Sequence, residues 1–302
     1  MASNTRTVLN SIDWAKFFLG QRPFVLGGAN VLEPALTCAN TVIQTIVQPP
    51  FKWRWNRASV AFQTLNPSLN WTASTAFTVG TRLRDSNGNM QTVTAATGNS
   101  GGTVPVWSTT VGGTTTDNSI TWTMSLITDY VQAISNFGYI EKASVTTASG
   151  TVNEIPNLEL PLTQDAGTGR ANAIGVYLDD NSGNITFRFM PGQPDQVYTV
   201  NVIYQKKPAL LTAITGANGT WPIPDEYGMV YNYGLLALFQ MFADDARFPA
   251  TNQKFIASLL AISEGLDEQQ KAIFMEQWTG IVRSSGVSGA KTQQGTQFRG
   301  GE

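Results

Sequence analysis

The hydrophobic pattern of this chain changes period twice. Val8, Ile12, Ala15 and Leu19 recur at helical spacing and predict a helix over 5–19, with Gly20 as its stop. A second helix is predicted over 32–47, where Leu36, Ala39, Val42, Ile43 and Ile46 share one face before Pro49 and Pro50. The period then drops to two. Phe51, Trp53 and Trp55 alternate with Lys52, Arg54 and Asn56, which predicts a strand with its aromatics toward a core and its cations away from it. Strands continue to about residue 215: Tyr198, Val200, Val202 and Tyr204 share a face, and "DDNSGN" at 179–184 reads as a hairpin turn. Helical spacing returns over 225–243, led by Pro224, Asp225 and Glu226, and over 250–280.

One stretch breaks this order. Residues 66–125 are rich in Thr, Gly and Asn, with turn signals at Asn87-Gly88, Gly101-Gly102, Gly112-Gly113 and Asp117-Asn118. They predict a small Ig-like all-β module inserted into a core made of 1–65 and 126–282. Strands at 58–64 and 128–135 are expected to flank it as a pair. The expected fold is therefore α+β: a helical bundle from both chain ends, an antiparallel sandwich or barrel over about 51–65 and 126–215, and the inserted module. The end of the chain, 283–302, is Gly, Ser and Gln rich and reads as a flexible tail.

Composition removes most chemistry. The 302 residues contain no histidine, and Cys38 is the one cysteine, so no Ser-His or Cys-His nucleophile, no His metal site and no internal disulfide can form. Cys38 lies in an apolar run and reads as a core residue. "GNSGG" at 98–102 resembles the loop around a serine-protease nucleophile, but no base exists to serve it. Glu141, Glu159, Asp179 and Asp180 offer no convergent carboxylate pair. The expectation is no enzyme and no cofactor. Charged residues make up only 13% of the chain, against about 25% in ordinary soluble proteins, and the net charge is −2. Tight, salt-sensitive nucleic-acid binding is not expected. No apolar run is long enough for a membrane helix, and the first residues do not read as a signal peptide.

Three stretches, "EPALTCANTVIQTIVQPPFKWRWNR", "FRFMPGQPDQVYTVNVIYQKKPALLT" and "WPIPDEYGMVYNYGLLALFQMFADDARFPATNQKFIASLL", resemble the head-to-tail adaptors of short-tailed bacteriophages, the tail tubular protein A-like collar proteins. The resemblance implies a virion protein whose copies, twelve in the expected ring, sit under the portal protein and extend the DNA channel. It also implies docking of tail nozzle or fibre proteins, and no membrane partner. Arg283, Lys291, Phe298 and Arg299 would belong to a portal-docking tail, and Lys52 and Arg54 would touch DNA transiently in the lumen. Segment 71–122 is similar to a Trp/Gly-punctuated module of phage virion proteins. If it binds a ligand, Trp71, Trp107 and Trp122 are the candidate stacking rings. The competing readings are a tail or neck completion protein, or a receptor- or glycan-binding tail protein acting through this module.

Overall fold

A computed structural model of the chain describes residues 4–19, 34–158, 167–180, 182–263 and 265–285, with side chains up to Glu276. The chain divides into two compact units. One combines residues 1–51 with 209–302, and the other is 52–208.

The first unit is helical among its described residues. It holds α1 (Val8–Leu19), α2 (Ala35–Val47), α3 (Gly228–Phe242), α4 (Phe248–Ile262) and α5 (Glu268–Ser285). Helix α1 starts at Val8 because Thr7 and Asn10 cap it reciprocally: the Thr7 N–H donates to Asn10 Oδ1 at 2.9 Å, and the Asn10 N–H to Thr7 Oγ1 at 3.4 Å. The chain before it is tied to the entrance of α3. Asp225 accepts the backbone N–H groups of Thr5 and Arg6 and the Thr5 hydroxyl. Residues 225–227 form a 3₁₀ turn, so α3 itself begins at Gly228, three residues later than predicted.

Helix α3 packs against α1, α2 and α4 and is apolar nearly all round, as a central helix must be. Its Gly234 lets neighbours approach closely: an added Cβ would lie 2.9 Å from the Phe255 ring on α4 and 3.0 Å from Val42 on α2. Trp221 stacks on Tyr231 with centroids 4.6 Å apart and donates its indole N–H to Ser11. Cys38 is buried among these helices, as expected.

The helix predicted over 250–280 is two helices. Ser263 is extended, with ψ at 128°, and α5 restarts behind a capping box in which Asp267 Oδ1 accepts the Gln270 N–H and Gln270 Oε1 accepts the Asp267 N–H. Helix α5 runs to Ser285, so the predicted tail begins as helix.

The second unit is β-structure among its described residues. Its strands are β1 (Arg57–Gln63), β2 (Arg82–Arg84), β3 (Met90–Ala96), β4 (Thr114–Asp117), β5 (Ile120–Ser125), β6 (Tyr130–Ala133), β7 (Phe137–Thr146), β8 (Val152–Ile155), β9 (Thr168–Gly169), β10 (Ala173–Asp179), β11 (Asn184–Met190), β12 (Gln193–Pro194) and β13 (Thr199–Lys206). The orders are β1-β13-β7-β8, β10-β11-β6 and β2-β3-β5-β4, all antiparallel, plus the short parallel pair β12-β9. None of these sheets closes into a barrel. The first two share one core: Phe62, Val145, Val200 and Val202 meet Tyr130, Ile174, Ile185 and Phe187. The 179–184 turn joins β10 to β11 as a hairpin, with Asp180 Oδ1 accepting the N–H groups of Ser182 and Asn184.

Two expectations need correction here. Residues 51–56 are not a strand: 54–56 form a 3₁₀ turn and β1 starts at Arg57. The strands flanking 66–125 do not pair either. β1 lies beside β13 and β6 beside β11, in different sheets, and Phe62 and Tyr130 meet between them with ring centroids 6.1 Å apart.

Candidate functional site

The basic-aromatic strip that opens the β unit is built around one glutamine. Gln205, on β13, is fully buried. Its Oε1 accepts the Trp53 N–H at 3.1 Å, and its Nε2 donates to the Trp53 carbonyl at 3.2 Å and to Glu141 Oε2 at 2.7 Å. Trp53 is thereby laid on the sheet without a strand ladder. Its ring is buried and stacks on the half-buried Trp55, with centroids 6.1 Å apart. Arg57 closes an ion pair with Glu141, its Nε 2.9 Å from Glu141 Oε2. Burial alone would raise the Glu141 pKa. The bonds from Arg57 and Gln205, with the charges of Arg57 and Lys52, outweigh it and hold the carboxyl below its ordinary range. Lys52 is half-buried and Arg54 exposed, on either side of Trp53. The aromatics are thus turned to protein and the cations toward solvent, which does not make a base-stacking groove.

Strands β2 to β5 carry a second, smaller core of Phe77, Leu83, Val93, Trp107, Ile120 and Trp122. Its polar centre is Asp117, which accepts the indole N–H of Trp71 at 2.8 Å, that of Trp122 at 3.1 Å and the Gly101 N–H at 2.7 Å. The stacking role expected of the three tryptophans does not fit two of them. Trp122 is 0% and Trp107 7% exposed, in edge contact with each other at 5.6 Å, so neither ring offers a free face. Trp71 is half-buried and tethered to Asp117. "GNSGG" serves as turn chemistry here: Ser100 Oγ donates to the Thr72 carbonyl and accepts the Thr75 N–H.

This sheet is joined to the larger core by two residues the sequence reading passed over. Met90 is buried within the larger cluster. Arg82 is 6% exposed, donates to the Gln63 carbonyl at 2.7 Å and lies 5.7 Å from the ring centroids of both Phe62 and Tyr130. Arg82 and Arg84, the two arginines of a Thr-rich stretch, were the available signal. Asp129, just before β6, and Arg188, on β11, form a buried pair, 2.6 Å apart, with the guanidinium against the Tyr177 ring.

Of the expected tail contacts, Arg283 falls in the last turn of α5, where side chains lie outside the described residues; Lys291, Phe298 and Arg299 lie wholly outside them. Among the described residues no group of acids or cysteine could hold a metal ion, and no helix is long and apolar enough to cross a membrane.

A family model, SU10 adaptor protein, matches residues 61–283. The chain belongs to this family. It is thus a phage structural adaptor, a virion component that works through contacts with other head and tail proteins. No curated protein matches the chain.

Proposed function

We propose that this adaptor serves a short-tailed phage as the head-to-tail connector, with copies assembling as a ring of twelve beneath the portal protein. The ring extends the DNA channel and receives the tail nozzle or fibres below. The observation that carries this reading is the family match across 61–283, which agrees with the resemblance of the quoted helical and strand stretches. Residues 66–125 act as an inserted module with its own small core, and 283–302 reach the portal through Arg283, Lys291, Phe298 and Arg299. Lys52 and Arg54 meet DNA passing through the lumen.

The runner-up is a tail or neck completion protein, or a tail protein that binds a receptor or glycan through 66–125. The burial of Trp107 and Trp122 counts against stacking recognition by those rings. Labelling the 66–125 segment with an antibody fragment on intact virions separates the readings by electron microscopy. Label around the neck, just below the capsid, is expected; label at distal fibre tips would overturn the connector reading. Deleting 284–302 is expected to abolish portal docking while the protein stays folded, and retained docking would remove the tail from the mechanism.

A further inference from the structure

We infer that Asn87-Gly88 is a self-modification site, at which Asn87 loses its side-chain amide as ammonia and becomes aspartate or isoaspartate. The inference does not depend on the connector reading. The Gly88 nitrogen attacks Asn87 Cγ and forms a new C–N bond. Its proton ends on the amide nitrogen, the bond from that nitrogen to Cγ breaks, and ammonia leaves a five-membered succinimide behind. Water then opens the ring. Cleavage of the new bond leaves aspartate with the original backbone, and cleavage of the old peptide bond routes the chain through Cγ as isoaspartate. Water is the one co-reactant, and nothing is oxidised or reduced.

The site is the tip of the hairpin that joins β2 to β3. Asp85 frames it: its Oδ1 accepts the N–H groups of Asn87 at 2.8 Å and Asn89 at 2.9 Å, and Gly88 takes φ at +83°. Within this frame Asn87 is exposed, and its side-chain amide makes no hydrogen bond among the described residues. The Arg84 guanidinium lies beside Gly88: a Cβ added there would stand 3.5 Å from Nη2 and 3.9 Å from Nε. Arg84 is exposed and has no ion pair among the described residues, so no carboxylate neutralises its charge. A cation there favours loss of the Gly88 proton, stabilises the oxyanion formed as the ring closes, and attracts the carboxylate that results. The backbone bond that must open first is a single one, from the Gly88 N–H to the Asp85 carbonyl at 3.1 Å. Two comparisons within the chain isolate these features. The hairpin tip at 180–184 has the same frame, with Asp180 Oδ1 accepting from Ser182 and Asn184 and Gly183 at φ +92°, but Ser182 stands where Asn87 does and carries no amide. The second Asn-Gly pair, Asn218-Gly219, is held in place: the Asn218 carbonyl accepts from Thr212 and Ala213, and Gly219 is buried against Ile214.

The test ages the full folded chain over days at mildly alkaline pH and maps its peptides by tandem mass spectrometry, with isoaspartate scored by enzymatic methylation. A first-order gain of acid at Asn87 is expected, as a mixture of aspartate and isoaspartate, faster at higher pH, while Asn218 stays an amide. Arg84→Gln is expected to slow the gain several-fold. Asn87→Gln is expected to stop it, because the longer side chain would have to close a six-membered ring. Unchanged melting temperatures confirm that both variants fold. Three results would each overturn the site: equal rates at Asn87 and Asn218, an Arg84→Gln rate equal to that of the parent, or Asn87 intact in the folded chain while the urea-unfolded chain converts. Label at fibre tips in the virion experiment would instead overturn the connector reading and leave these rates as they are.

Discussion

The side-chain amide of Gln205 bonds both backbone groups of Trp53, taking the N–H at 3.1 Å and giving to the carbonyl at 3.2 Å. One side chain does here what a neighbouring strand does elsewhere. Gln205→Leu keeps the approximate volume and strips both bonds, leaving a buried N–H and carbonyl unpaired. A loss of about 2–4 kcal/mol is expected in urea denaturation. A loss under about 0.5 kcal/mol would mean that water replaces the amide.

Gly234 tests the helical unit in the same way. Its missing Cβ is what lets Phe255 and Val42 close on α3. Gly234→Val removes a helix-weakening glycine but inserts atoms where both neighbours already stand. We expect net destabilisation of about 1–3 kcal/mol by thermal or chemical melting. A stabilised variant would show that the helices separate freely at this point.

Glu141 sets a pH dependence with a definite sign. A carboxyl whose pKa is depressed on folding contributes stability above its unfolded value, 4.5, and loses it as the pH falls through the folded value. Glu141→Gln is therefore expected to be less stable than the parent at neutral pH, with the difference shrinking from roughly pH 4.5 downward. Urea midpoints across that range check it. Parallel curves for the two proteins would assign the acid sensitivity to other carboxylates.

Asp117 offers a test of the small sheet's independence. Asp117→Ala removes the acceptor of two indole N–H groups and one backbone N–H at once. A local loss of about 3–5 kcal/mol is expected. Rapid protease cleavage within 66–125 should follow, with the far-UV helical signal intact. Simultaneous loss of the helices would show that this segment and the helical unit unfold as one.

Much of the architecture could be read from hydrophobic period alone, because helices and strands that bury one face must repeat it. The failures have specific physical causes. Phe51 and Trp53 do alternate in burial with Lys52 and Arg54, as a strand would. The alternation reports which side is covered, though, and not which backbone groups pair; a glutamine 152 residues away supplied the partners. The break between α4 and α5 was legible in Asp267 and Gln270, a D-x-x-Q capping pattern behind Gly265, but apolar residues at helical spacing resume after it with Ile273 and Phe274. Tryptophans in a Thr-rich stretch read equally as rings for a ligand or for a core, and only packing distinguishes the two.

The helical unit is assembled from the two ends of the chain, with the whole β unit between them. Residues 1–51 are made before 52–208, yet helix α3, which packs on both α1 and α2, is made only after them. The β unit can thus complete itself while α1 and α2 wait with their apolar faces uncovered. Order of synthesis and order of folding run opposite for the amino-terminal helices. A chain terminated before α3 would carry the β unit and two helices without the helix that packs on both.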